Sequence, residues 1–161
     1  TISQPYIVAY MVEALELAGG ERVLEVGSGC GYAAAVLAEI AAEVVTIERH
    51  PPLAALAERN LRQIGRTDVL VRCGDGRRGA PDRAPFDAIV IAAGADEVPP
   101  VLLTQLVPFG RLLLPLGATP ETQRLCRIRR TGPDRHEQEA LVGVRFVPLL
   151  PGVAVDAEPP R

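Results

Sequence analysis

The sequence predicts an α/β fold: a doubly wound, mostly parallel sheet of seven strands with an antiparallel hairpin at one edge. Three observations predict it. Strand-like and helix-like segments alternate from Arg22 to Leu114, the strand-like runs are apolar throughout, as strands covered on both faces must be, and a glycine cluster follows the first of them. A length of 161 residues suits one such domain, placed at residues 1–150, with the proline-rich 151–161 expected as a loosely held tail.

The elements follow in order. From Pro5 to Ala18, Ile7, Val8, Met11, Val12, Leu15 and Leu17 lie mostly on one helical face, and Gly19-Gly20 supplies a stop. Arg22–Val26 reads as the first strand, the glycine turn follows, and Tyr32 to Ala42 carries a helical pattern. The alternation continues with strand 44–47, helix 53–64, strands 69–72 and 88–91, a short helix at 101–106 and strand 112–114. Beyond Leu116 the rhythm changes: 125–129 and 141–147 are strand-like and separated only by the polar Thr131–Glu139, which predicts the hairpin.

Composition narrows the chemistry. The balance of 48% hydrophobic to 23% charged residues is that of a folded globular domain, and no run approaches the ~18 apolar residues of a membrane helix. The first 18 residues lack a signal-peptide pattern, so a cytoplasmic protein without a membrane partner is expected. A formal net charge of -3 argues against bulk nucleic-acid binding. All 17 basic residues are arginine, which removes Schiff-base lysine chemistry and the phosphate-binding loop ending in Gly-Lys. Cys30, Cys73 and Cys126 are scattered and the histidines are only His50 and His136, so neither a metal site nor a hydrolytic triad is indicated.

One constellation carries chemistry. Glu25-Val26-Gly27-Ser28-Gly29-Cys30-Gly31 follows the first strand and opens a helix, the place where doubly wound sheets hold a cofactor. Its Gly-x-Gly-x-Gly spacing differs from the dinucleotide pattern. Glu25 would repel a pyrophosphate, yet it favours a cationic sulfonium and ammonium. Glu48 ends the second strand about 20 residues on, where a carboxylate accepts from two ribose hydroxyls. Asp75, within Gly74-Asp75-Gly76, follows the third strand and can accept from an adenine amino group. Three acids after three consecutive strands, beside the glycine loop, point to S-adenosylmethionine and methyl transfer.

With these residues in place, the sequence resembles one family, the protein-L-isoaspartate O-methyltransferases, within the Rossmann-like class I methyltransferases. Thr1-Ile2-Ser3-Gln4-Pro5-Tyr6 is similar to the family's opening motif, and Val23 to Tyr32 resembles its cofactor loop. Gly74-Asp75-Gly76-Arg77, Ala84 to Ile89 and Gly110 to Gly117 resemble further blocks. Gln123-Arg124-Leu125 and Val144 to Leu149 complete the series. The resemblance implies methyl transfer from S-adenosylmethionine, leaving S-adenosylhomocysteine, to the free carboxylate of L-isoaspartyl residues in damaged proteins and peptides. That transfer initiates repair to L-aspartyl, and the family also implies a monomer.

The resemblance assigns Ser3 to the acceptor side as the catalytic residue. Glu25, Gly27, Ser28, Gly29 and Gly31 then hold cofactor together with Glu48, Gly74, Asp75 and Gly76. Ile2, Tyr6, Gln123, Val144, Arg145 and Val147 are expected on the substrate side, with Val144–Leu149 as an edge strand for an extended peptide. Alternatives stay open: Ser3 as a helix N-cap, 144–149 as a core strand, and the arginines of the 124–135 hairpin as a solvated face. A non-catalytic cofactor-binding module and a small-molecule O-methyltransferase are the competing functions. The sequence departs from the family at Tyr6, at Gly94-Ala95 in place of Ala-Pro, and at Phe109 in place of glycine. It starts at the Thr-Ile-Ser motif without a methionine, where the family carries a preceding helical segment. A fragment or a shortened gene product is therefore expected.

Overall fold

The computed structural model describes residues 3–155; the expectation for Ile2 and the end of the tail lie outside the described residues. The elements are α1 (Pro5–Ala14), β1 (Arg22–Val26), α2 (Tyr32–Ala38), β2 (Glu43–Glu48), α3 (Pro51–Gln63) and β3 (Val69–Cys73). A 3-10 turn (Gly76–Arg78) precedes β4 (Phe86–Ile91), α4 (Pro100–Thr104), β5 (Leu106–Leu116), β6 (Arg124–Arg130) and β7 (His136–Gly143). The strands form one seven-stranded sheet in the order β3-β2-β1-β4-β5-β6-β7. β1 to β5 pair in parallel, and β6 and β7 are antiparallel. Strand order reverses beside β1, between β2 and β4, which opens a crevice at their carboxyl ends.

Alternate residues of each strand feed two cores. Leu24, Val26, Val45, Ile47, Ile89 and Ile91 pack toward α4, whereas Val23, Val44, Ala88 and Val90 pack toward α1, α2 and α3 through Met11, Leu15, Leu37 and Leu61. A sheet buried on both faces explains why its strands read as unbroken apolar runs.

β5 starts at Leu106 and runs to Leu116 instead of 112–114, so the helix expected over 101–106 ends at Thr104. Three further boundaries differ from expectation, each for a tertiary reason. α1 ends at Ala14 instead of Ala18, because Glu16 adopts a left-handed conformation (φ 52°). Arg111 takes the freed carbonyls, donating from Nε to Leu15 O at 2.7 Å and from Nη2 to Glu16 O at 2.5 Å. α2 stops at Ala38 because Ala42 N–H is drawn to Glu21 O at 2.9 Å, at the entrance to β2. β7 occupies 136–143 instead of 141–147: as the sheet edge it is mostly exposed, so its polar His136–Glu139 half pairs with β6 without an apolar signature.

Three of the hairpin arginines are not a solvated face, while Arg124 and Arg135 stay exposed as that reading has it. Arg127 reaches Glu16 Oε1 at 2.6 Å and Glu139 Oε2 at 2.7 Å, Arg129 reaches Glu16 Oε2 at 2.8 Å, and Arg130 donates to Leu106 O. The Arg129 guanidinium beside Glu16 holds that carboxyl below the usual carboxylate range. These contacts tie the end of α1 to the sheet, and so fix where its beginning, with Ser3 and Tyr6, can lie.

Candidate active site

The carboxyl ends of β1 and β2 open into a cavity of about 1110 Å³, larger than the roughly 300–1,000 Å³ of a single small-ligand site. Its floor is the glycine loop. Gly27, Gly29 and Gly31 all have positive φ (98°, 54° and 89°), a backbone that a side chain would strain. Gly31 caps α2 at 3.2 Å from Ala57 O, measured from where a Cβ would sit, and Asn60 Nδ2 donates to Cys30 O at 2.8 Å, so α3 braces the loop from behind.

Two buried acids face this space. Glu48, 5% exposed, accepts from Gly29 N–H on Oε2 (2.9 Å) and from His50 N–H on Oε1 (3.0 Å). Each oxygen keeps a second lone pair. Glu25, 1% exposed, is the register partner of Thr46 across β1 and β2, and Thr46 Oγ1 donates to its Oε2 at 2.5 Å. When Glu25 is ionised it takes the only proton of Thr46, and Ser28 Oγ then donates to Thr46 across their 2.5 Å contact. Burial pushes the Glu25 carboxyl up to about 7; the Thr46 bond opposes the rise and the Glu48 charge adds to it. Thr46 escaped the sequence reading, although a lone hydroxyl in an apolar strand must find a partner.

The opposite wall comes from two places. Ser3 and Tyr6 enter from the start of α1, and the N-cap of that helix is Gln4, whose carbonyl accepts from Ile7 and Val8. Ser3 therefore caps nothing: it is half-buried at the cavity, with no hydrogen bond among the described residues. Tyr6 is 73% exposed at the rim.

Residues 144–150 supply the rest of this wall, but not as an edge strand. After β7 the chain leaves the hairpin and crosses the carboxyl edge of the sheet, where Gly94 N–H donates to Val147 O (2.8 Å) and Gly94 O accepts from Leu149 N–H (2.7 Å). Val144, Arg145 and Val147 line the cavity; the Arg145 guanidinium points outward, 3.7 Å from Glu121.

Gln123 stands elsewhere than predicted. It does not line the cavity; its amide is spent on one residue, Oε1 accepting from Phe146 N–H at 2.7 Å and Nε2 donating to Phe146 O at 3.3 Å. It holds the crossing segment, and Gly94 makes room, since a Cβ there would run into the Gln123 amide. The departure at Gly94 thus fits its neighbour. Gly76 lines the cavity, whereas Gly31, Gly74 and Asp75 do not. Asp75 caps the 3-10 turn, Oδ1 accepting from Arg77 N–H at 2.9 Å, one residue before the wall. Among the described residues no cluster of histidine, cysteine or acid could hold a metal, and no helix is long and apolar enough to cross a membrane.

The sequence matches the family described as protein-L-isoaspartate(D-aspartate) O-methyltransferase over residues 1–154. The chain belongs to that family. It is 59% identical over 150 residues, 93% of its length, to protein-L-isoaspartate O-methyltransferase 1 of Rhodopseudomonas palustris strain HaA2, and spans 61% of that relative. The counterpart from Brucella anthropi is 49% identical over 93% of the chain and 69% of the relative. Among solved structures, a protein-L-isoaspartate O-methyltransferase superimposes with a TM-score of 0.84 at 33% identity, covering 91% of this chain and 47% of the other. A Plasmodium falciparum protein described as a putative member, solved with S-adenosyl-L-homocysteine, gives a TM-score of 0.78 at 25% identity, covering 93% and 76%. The chain thus spans about three fifths of the first relative and under half of the first structure.

Proposed function

We propose that this chain transfers the methyl group of S-adenosylmethionine to the free carboxylate of L-isoaspartyl residues in damaged proteins and peptides. The observation that carries the reading is one cavity shared by two buried acids of the glycine-loop crevice and by Ser3 on the opposite wall. Its residues fit the cofactor. The open lone pairs of Glu48 suit two ribose hydroxyls, Glu25 suits a cationic ligand, and Asp75, beside the Gly76 wall, is assigned the adenine amino group. The space is larger than one small ligand needs, which leaves volume for an acceptor group alongside. The Plasmodium falciparum neighbour, solved with S-adenosyl-L-homocysteine, supports the same ligand here.

The bound cofactor supplies an electrophilic methyl group. An α-carboxylate with a pKa near ~3.5 is already ionised at neutral pH and needs no general base, so the protein's task is alignment. Ser3, whose hydroxyl has no partner among the described residues, donates to the acceptor carboxylate and orients it. Residues 144–147 receive the flanking peptide, and the apolar wall of Val144, Val147 and Leu149 excludes water. The reading takes the chain as a monomer in the cytoplasm without a nucleic-acid partner, the last supported by its net charge of -3.

The test is methyl transfer from labelled S-adenosylmethionine to a peptide with one L-isoaspartate, beside the same peptide with L-aspartate. Label in the isoaspartyl peptide alone supports the proposal. Cofactor binding without transfer to either peptide favours the non-catalytic module, and transfer to small acceptors in preference to the peptide favours a metabolite O-methyltransferase.

A further inference from the structure

The stretch from Val144 to Val155 runs across the carboxyl edge of the sheet and is pinned at three places. Gln123 holds Phe146, Gly94 holds Val147 and Leu149, and Arg49, immediately after β2, holds the far end. The far pin has a backbone part and a side-chain part. Ala154 N–H donates to Arg49 O at 2.8 Å, while the Arg49 guanidinium reaches Pro151 O at 3.3 Å and Gly152 O at 3.4 Å. Residues 151–155, expected to be loose, are thereby tied down.

The three pins differ in strength. Each includes a bond of 2.7–2.8 Å, but at the first two Gln123 is buried and Gly94 fits against its amide. The guanidinium bonds at Arg49 are long, one of them exposed, and the strap beyond Leu149 is largely exposed too, with Leu150 at 45% and Val153 at 47%. Local opening starts where backbone bonds are few and solvent-accessible. Arg49 also lines the cavity, next in sequence to Glu48, and Leu149 and Leu150 line it from the strap side. A ligand that fills the cavity therefore touches both halves of this closure.

We infer that Arg49 is a positioning residue that latches the strap over the cavity, and that the adenosyl ligand is admitted and released by opening at this end. The inference rests on the S-adenosylmethionine reading above. A ligand held by Glu48 fixes the end of β2, and with it the Arg49 carbonyl that receives Ala154. Occupancy of the cofactor site thus tightens the segment that forms the acceptor wall. Cofactor and acceptor sites are coupled through one element, pinned permanently at Gly94 and conditionally at Arg49.

The experiment is amide hydrogen exchange of the whole chain with and without saturating S-adenosylhomocysteine, with calorimetry to establish binding and stopped-flow displacement to give the dissociation rate. In the wild type, the ligand should slow exchange at Ala154 on the order of tenfold, the scale of one well-made anchor, and leave the already protected Leu149 amide unchanged. Arg49→Ala keeps the carbonyl that receives Ala154 but loses both guanidinium bonds, so it should lower that protection only in part while speeding ligand dissociation on the order of tenfold, with Arg49→Lys intermediate because a single ammonium can serve one carbonyl. Binding heat without added protection at Ala154 overturns the coupling alone. An Arg49→Ala dissociation rate equal to the wild type overturns the latch, and no heat at all overturns the cofactor reading and the inference with it.

Discussion

Replacing Glu25 by glutamine removes a buried carboxyl whose ionisation the fold opposes. In the ligand-free chain burial raises this group from 4.5 to about 7, with the Glu48 charge adding to the rise and the Thr46 bond working against it. The raised carboxyl means that between these values the folded state binds a proton the unfolded state has lost, so stability falls as pH rises through the window. At about 1.4 kcal/mol for each tenfold in proton affinity, the full penalty above pH 7 is roughly 3 kcal/mol, much of a typical 5–15 kcal/mol total. In Glu25→Gln the amide oxygen would still accept from Thr46 without carrying that penalty. Urea unfolding of both proteins without ligand at pH 5 and pH 8 should therefore show the variant gaining about 2–3 kcal/mol relative to the wild type between the two, since every other titrating group is common to both. The same change should weaken S-adenosylmethionine binding, because a cationic ligand meets an amide in place of a carboxylate. A stability difference that stays constant from pH 5 to pH 8 would refute the reasoning, placing Glu25 ionised and solvated in the free chain.

Three further outcomes follow from the geometry. Ser3→Ala should keep calorimetric affinity for S-adenosylhomocysteine and stability within about 0.5 kcal/mol, yet lower methyl transfer on the order of a hundredfold; a loss of about 1 kcal/mol with unchanged transfer would restore the cap reading. Gly94→Ala should drive the Gln123 amide off Phe146, costing about 1–3 kcal/mol in urea unfolding and raising KM for an isoaspartyl peptide. Adding Gln123→Ala to it should be markedly non-additive. Phe109→Gly should raise stability by about 1 kcal/mol, because Phe109 sits exposed at a φ of 64° that glycine adopts without strain.

The residues that proved legible in the sequence are those whose physical requirement is local. The glycines of the loop announce a backbone with positive φ, and Glu25 and Glu48 stand at strand ends whose positions the apolar runs set directly. Where function depends on a contact between distant segments, the same sequence reads differently. Gln123 matched a family block and was assigned to the pocket, but which way its amide faces is decided by Gly94 and Phe146, about 30 residues before and 23 after it, and nothing in its own neighbourhood reports them. Val144–Leu149 is apolar and β-branched enough to pass for a strand, while the real edge strand, with His136–Glu139 in the ladder, is polar because one side of an edge meets water. Arg49 is the sharpest case. It draws no notice in the sequence beside Glu48, and becomes informative only when a tail more than 100 residues away returns to lie on it. A side chain that binds a ligand leaves a pattern in its own segment; one that holds another segment in place leaves its pattern in the pair, and the pair exists only after folding.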